Sequence, residues 1–236
     1  MANQADLAQT LAEYSVASIS QLAVLLSTSP AQVRRWVRIS TDVRILAGLP
    51  GRGRPEQWIC LKGFRGRAHA HEWNLTQFAV ELSKLCRAMP NLSWTRLAAS
   101  FDGLVPDLSF VLTSAVRQKS LLFFVEIDCG TEPVRRETAG TDLSGKLARY
   151  LDVRATNRYL GTLANTGLAC RGFRVLVVTP DVKRSNQARR LTCGLRGDFI
   201  WVTDRARLGE SGMAAKIWTA GGQDEPRRSI LGSLVQ

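Results

Sequence analysis

Pro106-Asp107-Leu108-Ser109-Phe110 and, one short polar connection later, Phe124-Val125-Glu126-Ile127-Asp128 form the stretch on which the fold turns. Leu108 to Thr113 and Leu121 to Ile127 are apolar and rich in branched residues, and Ser114 to Ser120 between them suits an antiparallel hairpin. Asp107 opens one strand, and Glu126 and Asp128 end its neighbour. Side chains at i and i+2 share one face of a strand, so Glu126 and Asp128 are expected to point the same way. The hairpin brings Asp107 alongside. Three carboxylates on one patch repel each other unless a cation sits between them. Mg²⁺ takes hard oxygen ligands while keeping several waters, which matches two or three carboxylates plus a substrate phosphate. A cation so held lowers the pKa of its water and neutralises charge on phosphoryl oxygens. The competing account is that strand-end acids are solvated turn residues.

Downstream, Asp142 to about Leu163 reads as one long helix and Val175 to Pro180 as a buried strand. Ser185 to Thr192 reads as a helix, Phe199 to Thr203 as a strand, and Ala214 to Trp218 as a last strand. Together they predict a mixed sheet flanked by helices over residues 72–220, followed by a loose, Gly/Pro/charge-rich tail over 221–236. A helix from Asn74 to about Met89, ended by Pro90, leads into this part. Gly63 to about Glu72 is the expected divide between domains.

Upstream, the pattern is different. Asp6 to Tyr14 is a short helical pattern, and a second helix starts at Ser18 with Ile19, Leu22, Ala23 and Leu26 on one face. Ser29 is placed to cap a third helix whose first position is Pro30. That helix turns Val33, Trp36 and Val37 inward and Arg34, Arg35 and Arg38 outward. Ile45 to Pro55 and Gln57 to Leu61 then read as a strand, a Gly/Arg turn and a second strand. The whole of residues 1–64 thus has the pattern of a winged helix-turn-helix, with Arg52 and Arg54 on the wing. Between Arg34 and Arg67 nine bases face two acids, a net +7 within a chain of net charge +12. Most solvated faces mix signs, so this asymmetry points to a polyanion. Twenty-six of the 32 bases are arginine, whose planar fork matches phosphate oxygens. Arg34, Arg35 and Arg38 are suited to a major groove, and Arg52 and Arg54 to the backbone or minor groove, of double-stranded DNA.

The longer string Pro106-Asp107-Leu-Ser-Phe … Phe124-Val-Glu126-Ile-Asp128-Cys-Gly130-Thr131-Glu132 … Lys146-Leu-Ala-Arg-Tyr150 resembles the replication-relaxation family of mobile elements. In that family a winged helix precedes a nuclease-like domain. The D…E-x-D core is similar to the PD-(D/E)xK nucleases, and the family is similar to plasmid mobilisation relaxases with a restriction-endonuclease-like fold. The resemblance implies an α+β chain acting as a Mg²⁺- or Mn²⁺-dependent DNA endonuclease or nickase in plasmid replication or mobilisation. It further implies Asp107, Glu126 and Asp128 as metal ligands, Lys146 as the catalytic lysine, and a second copy or other mobilisation and replication proteins as partners. The pattern departs from the superfamily where lysine is common two residues after the acid, since Asp128 stands there. Lys146 is the match for members that move this lysine to the next helix; alternatively it edges the apolar stripe Leu143, Leu147 and Tyr150 with its head in water. By the same analogy Glu81 is a fourth acid or a surface residue. Tyr150, one turn from Lys146, is a core or rim residue or the kind of tyrosine that relaxases of other classes use.

Three functional readings follow: the metal-dependent nuclease, a non-catalytic DNA-binding regulator or accessory protein with a degenerate nuclease domain, and, less favoured by a winged helix, an RNA-binding module. Apolar runs are too short to span a bilayer, and Met1-Ala-Asn-Gln lacks the basic start and apolar stretch of a secretory signal. Cys60, Cys86, Cys129, Cys170 and Cys193 are scattered without a C-x-x-C pair, against a zinc site or disulfide framework. A cytoplasmic protein is expected. His69 and His71 form an H-x-H pair with no evident third ligand, and Gly51-Arg-Gly-Arg lacks the lysine of a nucleotide loop.

Overall fold

The computed structural model of the chain describes residues 3–46, 57–64, 69–98, 100–101, 103–130, 142–170, 172–194, 198–220 and 227–235. The chain divides into two compact units, Met1–Lys84 and Leu85–Gln236. It is α+β, and its second unit is built on a mixed six-stranded sheet flanked by helices.

In the first unit, α1 (Gln4–Tyr14) starts at Asn3, whose side chain and that of Asp6 form a reciprocal capping box. Strand β1 (Val16–Ser18) leads into α2 (Ile19–Leu25), where Ser18 and Gln21 form a second box. Helix α3 (Pro30–Ile39) begins as its sequence predicts, with the Ser29 hydroxyl accepting from the Gln32 N–H and Pro30 at the first position. Its Val33, Trp36 and Val37 are buried with Leu7, Leu11, Leu22 and Ile59. Strands β2 (Val43–Leu46) and β3 (Trp58–Leu61) complete an antiparallel sheet in the order β1-β3-β2. Residues 47–56, the expected wing with Arg52 and Arg54, lie outside the described residues.

Helix α4 (His69–Ala88) starts five residues before Asn74 and carries the first unit on to Lys84, past the expected divide. The reason is packing. Trp73 stacks on Trp58 with centroids 6.2 Å apart, and the Thr76 hydroxyl donates to the Val16 carbonyl at 2.6 Å. The Gln21 amide donates to Gln77 Oε1 at 3.0 Å. These bonds satisfy polar groups that burial would otherwise leave orphaned.

The second unit's sheet has the order β4-β5-β6-β7-β8-β9. Strand β4 (Leu92–Leu97) pairs antiparallel with β5 (Leu108–Ser114), and β5 with β6 (Lys119–Ile127), in the expected hairpin. Helices α5 (Leu143–Thr156) and α6 (Tyr159–Ala164) then return the chain to β7 (Phe173–Thr179), which runs parallel to β6. One long helix was expected here. It breaks at Asn157, whose φ of 53° is left-handed, a conformation asparagine tolerates at a helix end. Helix α7 (Val182–Gly194) leads to β8 (Ile200–Asp204), parallel to β7. Leu143, Leu147, Tyr150 and Val153 of α5 pack with Phe124, Phe173, Val175, Val177 and Val202 of the sheet and Ala188 of α7 in one core.

The chain's end differs from expectation. Asp204 caps α8 (Arg205–Ser211), and the last strand is β9 (Thr219–Ala220) instead of Ala214 to Trp218. A tight turn from Ile217 N to Ala215 O displaces it. Beyond residues 221–226, which are not described, the segment expected to be loose is packed. Arg228 bridges Trp218, and α9 (Gly232–Val235) lies against β5 and β6 with Ile230 and Leu234 fully buried. Two large apolar side chains outweigh the polar composition around them. Replacing Leu234 by Ala should therefore cost about 2–5 kcal/mol, read as a lowered urea midpoint. A change under about 0.5 kcal/mol, the size typical of surface sites, would refute this packing.

Candidate functional site

Glu126 stands one residue from the carboxyl end of β6, where the parallel strands β6, β7 and β8 also end. Open sheets with parallel strands bind ligands beyond such ends. Antiparallel pairing with β5 places Asp107 beside it: Asp107 N donates to the Val125 carbonyl at 3.1 Å, and Asp107 Oδ2 accepts from the Ile127 N–H at 2.7 Å. The hairpin thus brings Asp107 and Glu126 together, as its sequence predicts.

Glu126 is 5% exposed. Tyr150 of α5 donates its hydroxyl to Glu126 Oε1 at 2.5 Å, and Lys146 Nζ lies 4.0 Å from Oε2. Lys146 therefore turns its charge toward Glu126. Burial, and secondarily the negative charge of Asp107, push the Glu126 carboxyl up to about 7. The Tyr150 hydroxyl and the charges of Lys146 and Arg149 pull the other way without offsetting this. The Tyr150 phenol is raised well above its ordinary value by its own burial and by Glu126. With 1% exposure, this tyrosine is a donor that fixes a carboxylate and is poorly suited to be a nucleophile.

Asp128 departs from the expected arrangement. Its carboxylate is held by Arg184 of α7, with Nε to Oδ2 at 2.5 Å and Nη2 to Oδ1 at 3.2 Å. Oδ1 also accepts from the Gly130 N–H at 2.7 Å, a local Asx-type turn. Gly130 has φ +74° and lies against Pro180, where a Cβ would come within 3.2 Å of Pro180 Cγ, so a side chain there meets both strain and a close neighbour. Asp128 is thus neutralised by a bidentate arginine instead of joining Asp107 and Glu126. Among the described residues, no group of three or more His, Cys, Asp and Glu side chains gathers in a way that could hold a metal. The set that the geometry does gather is Asp107, Glu126, Lys146 and Tyr150.

Arg184 lies 56 residues from its partner, so no local sequence pattern links the two. The signal for it exists only in three dimensions: Asp128 N donates to the Val178 carbonyl, which puts the start of α7 beside the end of β6. Glu81 lies in the first unit, buried, accepting from Gln77 at 2.9 Å and Lys84 at 2.8 Å. It is a helix-internal polar contact. His71 Nδ1 is 3.7 Å from Glu72 Oε1. Thr131 and Glu132 lie outside the described residues.

On α3, Arg34, Arg35 and Arg38 are all exposed, on the side away from the buried Val33, Trp36 and Val37. Arg44 is engaged within the unit, its guanidinium donating to Cys60 Sγ and the Phe64 carbonyl. No helix among the described residues is long and apolar enough to cross a membrane. Comparison with protein-family models, curated proteins and solved structures gives no match.

The raised Glu126 carboxyl has a measurable consequence. Between about pH 4.5 and 7 the unfolded chain releases this proton before the folded one, so stability falls as pH rises through that window. Glu126→Gln, in chelator, should remove this slope, worth on the order of 3 kcal/mol for a shift of this size. Urea midpoints compared at either end of the window read it, and an unchanged slope in the variant would exclude the buried acid as its source.

Proposed function

We propose that this chain is a divalent-metal-dependent DNA nickase or endonuclease of the relaxase-like type, acting in replication or mobilisation of a plasmid or other mobile element. In this reading the first unit is a winged helix-turn-helix that holds duplex DNA, and the second has a restriction-endonuclease-like fold. The observation that carries the proposal is the pairing of Asp107 with a buried Glu126 whose other neighbours are the Lys146 ammonium and the Tyr150 hydroxyl. Two adjacent carboxylates, one desolvated and raised by the other, form an unfavourable pair that a cation stabilises. They fit Mg²⁺ or Mn²⁺, which bind through one or two carboxylates and keep waters for substrate phosphate to displace. Asp107 and Glu126 would hold the ion, which supplies an activated water and charge neutralisation when bound.

The chain's own residues supply the rest. Tyr150 locks Glu126 Oε1 in place, as outer partners of metal ligands commonly do. Lys146 sets a positive charge beside the carboxylates, where it orients a phosphate and stabilises charge developing on it. Arg34, Arg35 and Arg38 contact the duplex, and phosphate contacts among them fix its position without reading sequence. RNA is a weaker candidate partner, since this arrangement favours a duplex groove.

One observation favours a second reading, a non-catalytic DNA-binding regulator or mobilisation accessory protein. Where the superfamily pattern has its lysine, Asp128 stands, bound to Arg184. If that pair replaces catalytic machinery, the site binds without cutting.

The two readings separate experimentally. Wild-type protein should nick supercoiled plasmid carrying its own origin in Mg²⁺ or Mn²⁺, and Asp107→Ala should abolish nicking with DNA affinity unchanged. Tyr150→Phe should lower metal affinity or rate roughly 10- to 100-fold. Metal at about 100 times its Kd should stabilise the wild type by about 2.7 kcal/mol and leave Asp107→Ala unmoved. Tight DNA binding with no nicking in any metal would defeat the enzyme reading, and loss of transfer or replication on Asp107→Ala at unchanged affinity would defeat the regulator.

A further inference from the structure

Three arginines converge in the second unit where β7 and β8 begin, toward the opposite strand ends from Glu126. Arg154 comes from α5, Arg174 from the second position of β7, and Arg228 from the segment bridged to Trp218. Each lies over an aromatic ring. The Arg154 guanidinium carbon is 4.4 Å from the centroid of Phe199, and those of Arg174 and Arg228 are 5.5 and 5.9 Å from that of Trp201. Arg154 and Arg174 also share an acceptor, donating through Nη1 to the one carbonyl of Phe173 at 3.2 and 3.3 Å.

Two guanidinium groups on one carbonyl repel each other. Burial, then Arg154, and less strongly Arg228, lower the pKa of Arg174 against the opposing influence of Asp198. Yet none of the three arginines forms an ion pair among the described residues, and Arg174 Nε is buried without an acceptor. Contrast Arg158 and Arg184, each held by a carboxylate at 2.5 Å. Arginines that merely cover aromatic rings gain from stacking, but this does not account for gathering three of them, among the described residues, with no carboxylate in ion-pair contact and only the more distant charge of Asp198 acting on Arg174. A guanidinium carries a planar fork of N–H donors, the geometry that matches two oxygens of a phosphate.

We infer that Arg154, Arg174 and Arg228 form a second phosphate-binding site, which grips the phosphodiester backbone of DNA apart from the carboxylate pair. The inference rests on DNA as the partner proposed above, and it does not rest on cleavage. Arg154 lies eight residues from Lys146 along α5, about 12 Å. That separation corresponds to roughly three to four nucleotide steps of one strand. The arginine site therefore anchors the same strand a few nucleotides from the phosphate beside Lys146, and it gives the second unit a DNA affinity of its own.

The test is fluorescence anisotropy of labelled duplex DNA with the full chain across a KCl series. Arg228→Gln should reduce the slope of log affinity against log salt by about 0.9, and Arg154→Gln with Arg228→Gln by about 1.8. Lysine at the same positions should keep most of the slope, a rescue that an effect on folding alone would not produce. Arg228 is exposed, so its single variant should keep the wild-type circular dichroism and melting temperature and so report on the site even where the double variant does not fold. Wild-type binding with slopes unchanged in the glutamine variants would overturn this inference alone. Failure of wild type to bind duplex DNA would overturn it together with the proposed function. A wild-type melting temperature raised by inorganic phosphate, with the DNA slope indifferent to Arg228, would assign the site to free phosphate and overturn it as well. So would binding to anionic vesicles, but not duplex, that depends on Arg228.

Discussion

Strand β6 is hydrogen-bonded on both edges, antiparallel to β5 and parallel to β7, and the second unit is organised around that double pairing. Its residues from Leu122 to Ile127 are almost fully buried, alternating between the two faces of the sheet. A strand so enclosed has no tolerance for a charged side chain at its centre, so Glu126 can exist only where the strand is about to leave the sheet. Even there it lies inside a shell of Tyr150, Lys146 and Arg149 supplied by α5. The aromatic chain from Phe101 through Phe124 and Phe173 to Phe199, with ring centroids about 5 Å apart, locks the strands in register beneath that helix. The position of Tyr150 follows from this packing, since its ring leans on Phe124 while its hydroxyl reaches Glu126.

The two aspartates that flank this glutamate show how backbone geometry sorts like charges. Asp107 is tied to the β6 main chain through the Ile127 N–H and so stays next to Glu126. Asp128 lies one step beyond the strand, where the chain turns toward Pro180, and α7 presents Arg184 to it. One carboxylate is kept in a repulsive pair and the other is neutralised. In a chain of net charge +12, a neutralised acid is easy to arrange, whereas an acid pair needs a scaffold to hold it.

Much of this was legible in the residues. Ser29 and Pro30 announced the start of α3, and period-two apolar runs around a polar loop announced the β5–β6 hairpin, because both signals are local. The proximity of Asp107 to Glu126 followed from the hairpin alone. What depended on remote packing was not legible. The Asp128–Arg184 pair needs the parallel docking of β7 on β6, and the burial of Ile230 and Leu234 needs a sheet face that the composition of the tail does not reveal. The helix break at Asn157 was locally encoded but weak, since asparagine within a helical pattern costs little until a neighbouring element selects the left-handed conformer. Helical spacing puts Tyr150 on the same face as Lys146, yet its hydroxyl contact with Glu126 depends on how deeply α5 settles.

The long return from β6 to β7 also shapes how the molecule is made. The β5–β6 hairpin is complete by residue 127, but its parallel partner begins only at Phe173. A chain emerging from the ribosome therefore carries an apolar strand with one edge unpaired until 173–179 are synthesised, and closing so non-local a pairing is slow. An uncovered edge of this kind is the element most prone to recruit a second nascent chain. Slow translation across residues 128–172 would lengthen that exposure, and chaperone capture would be directed to this interval.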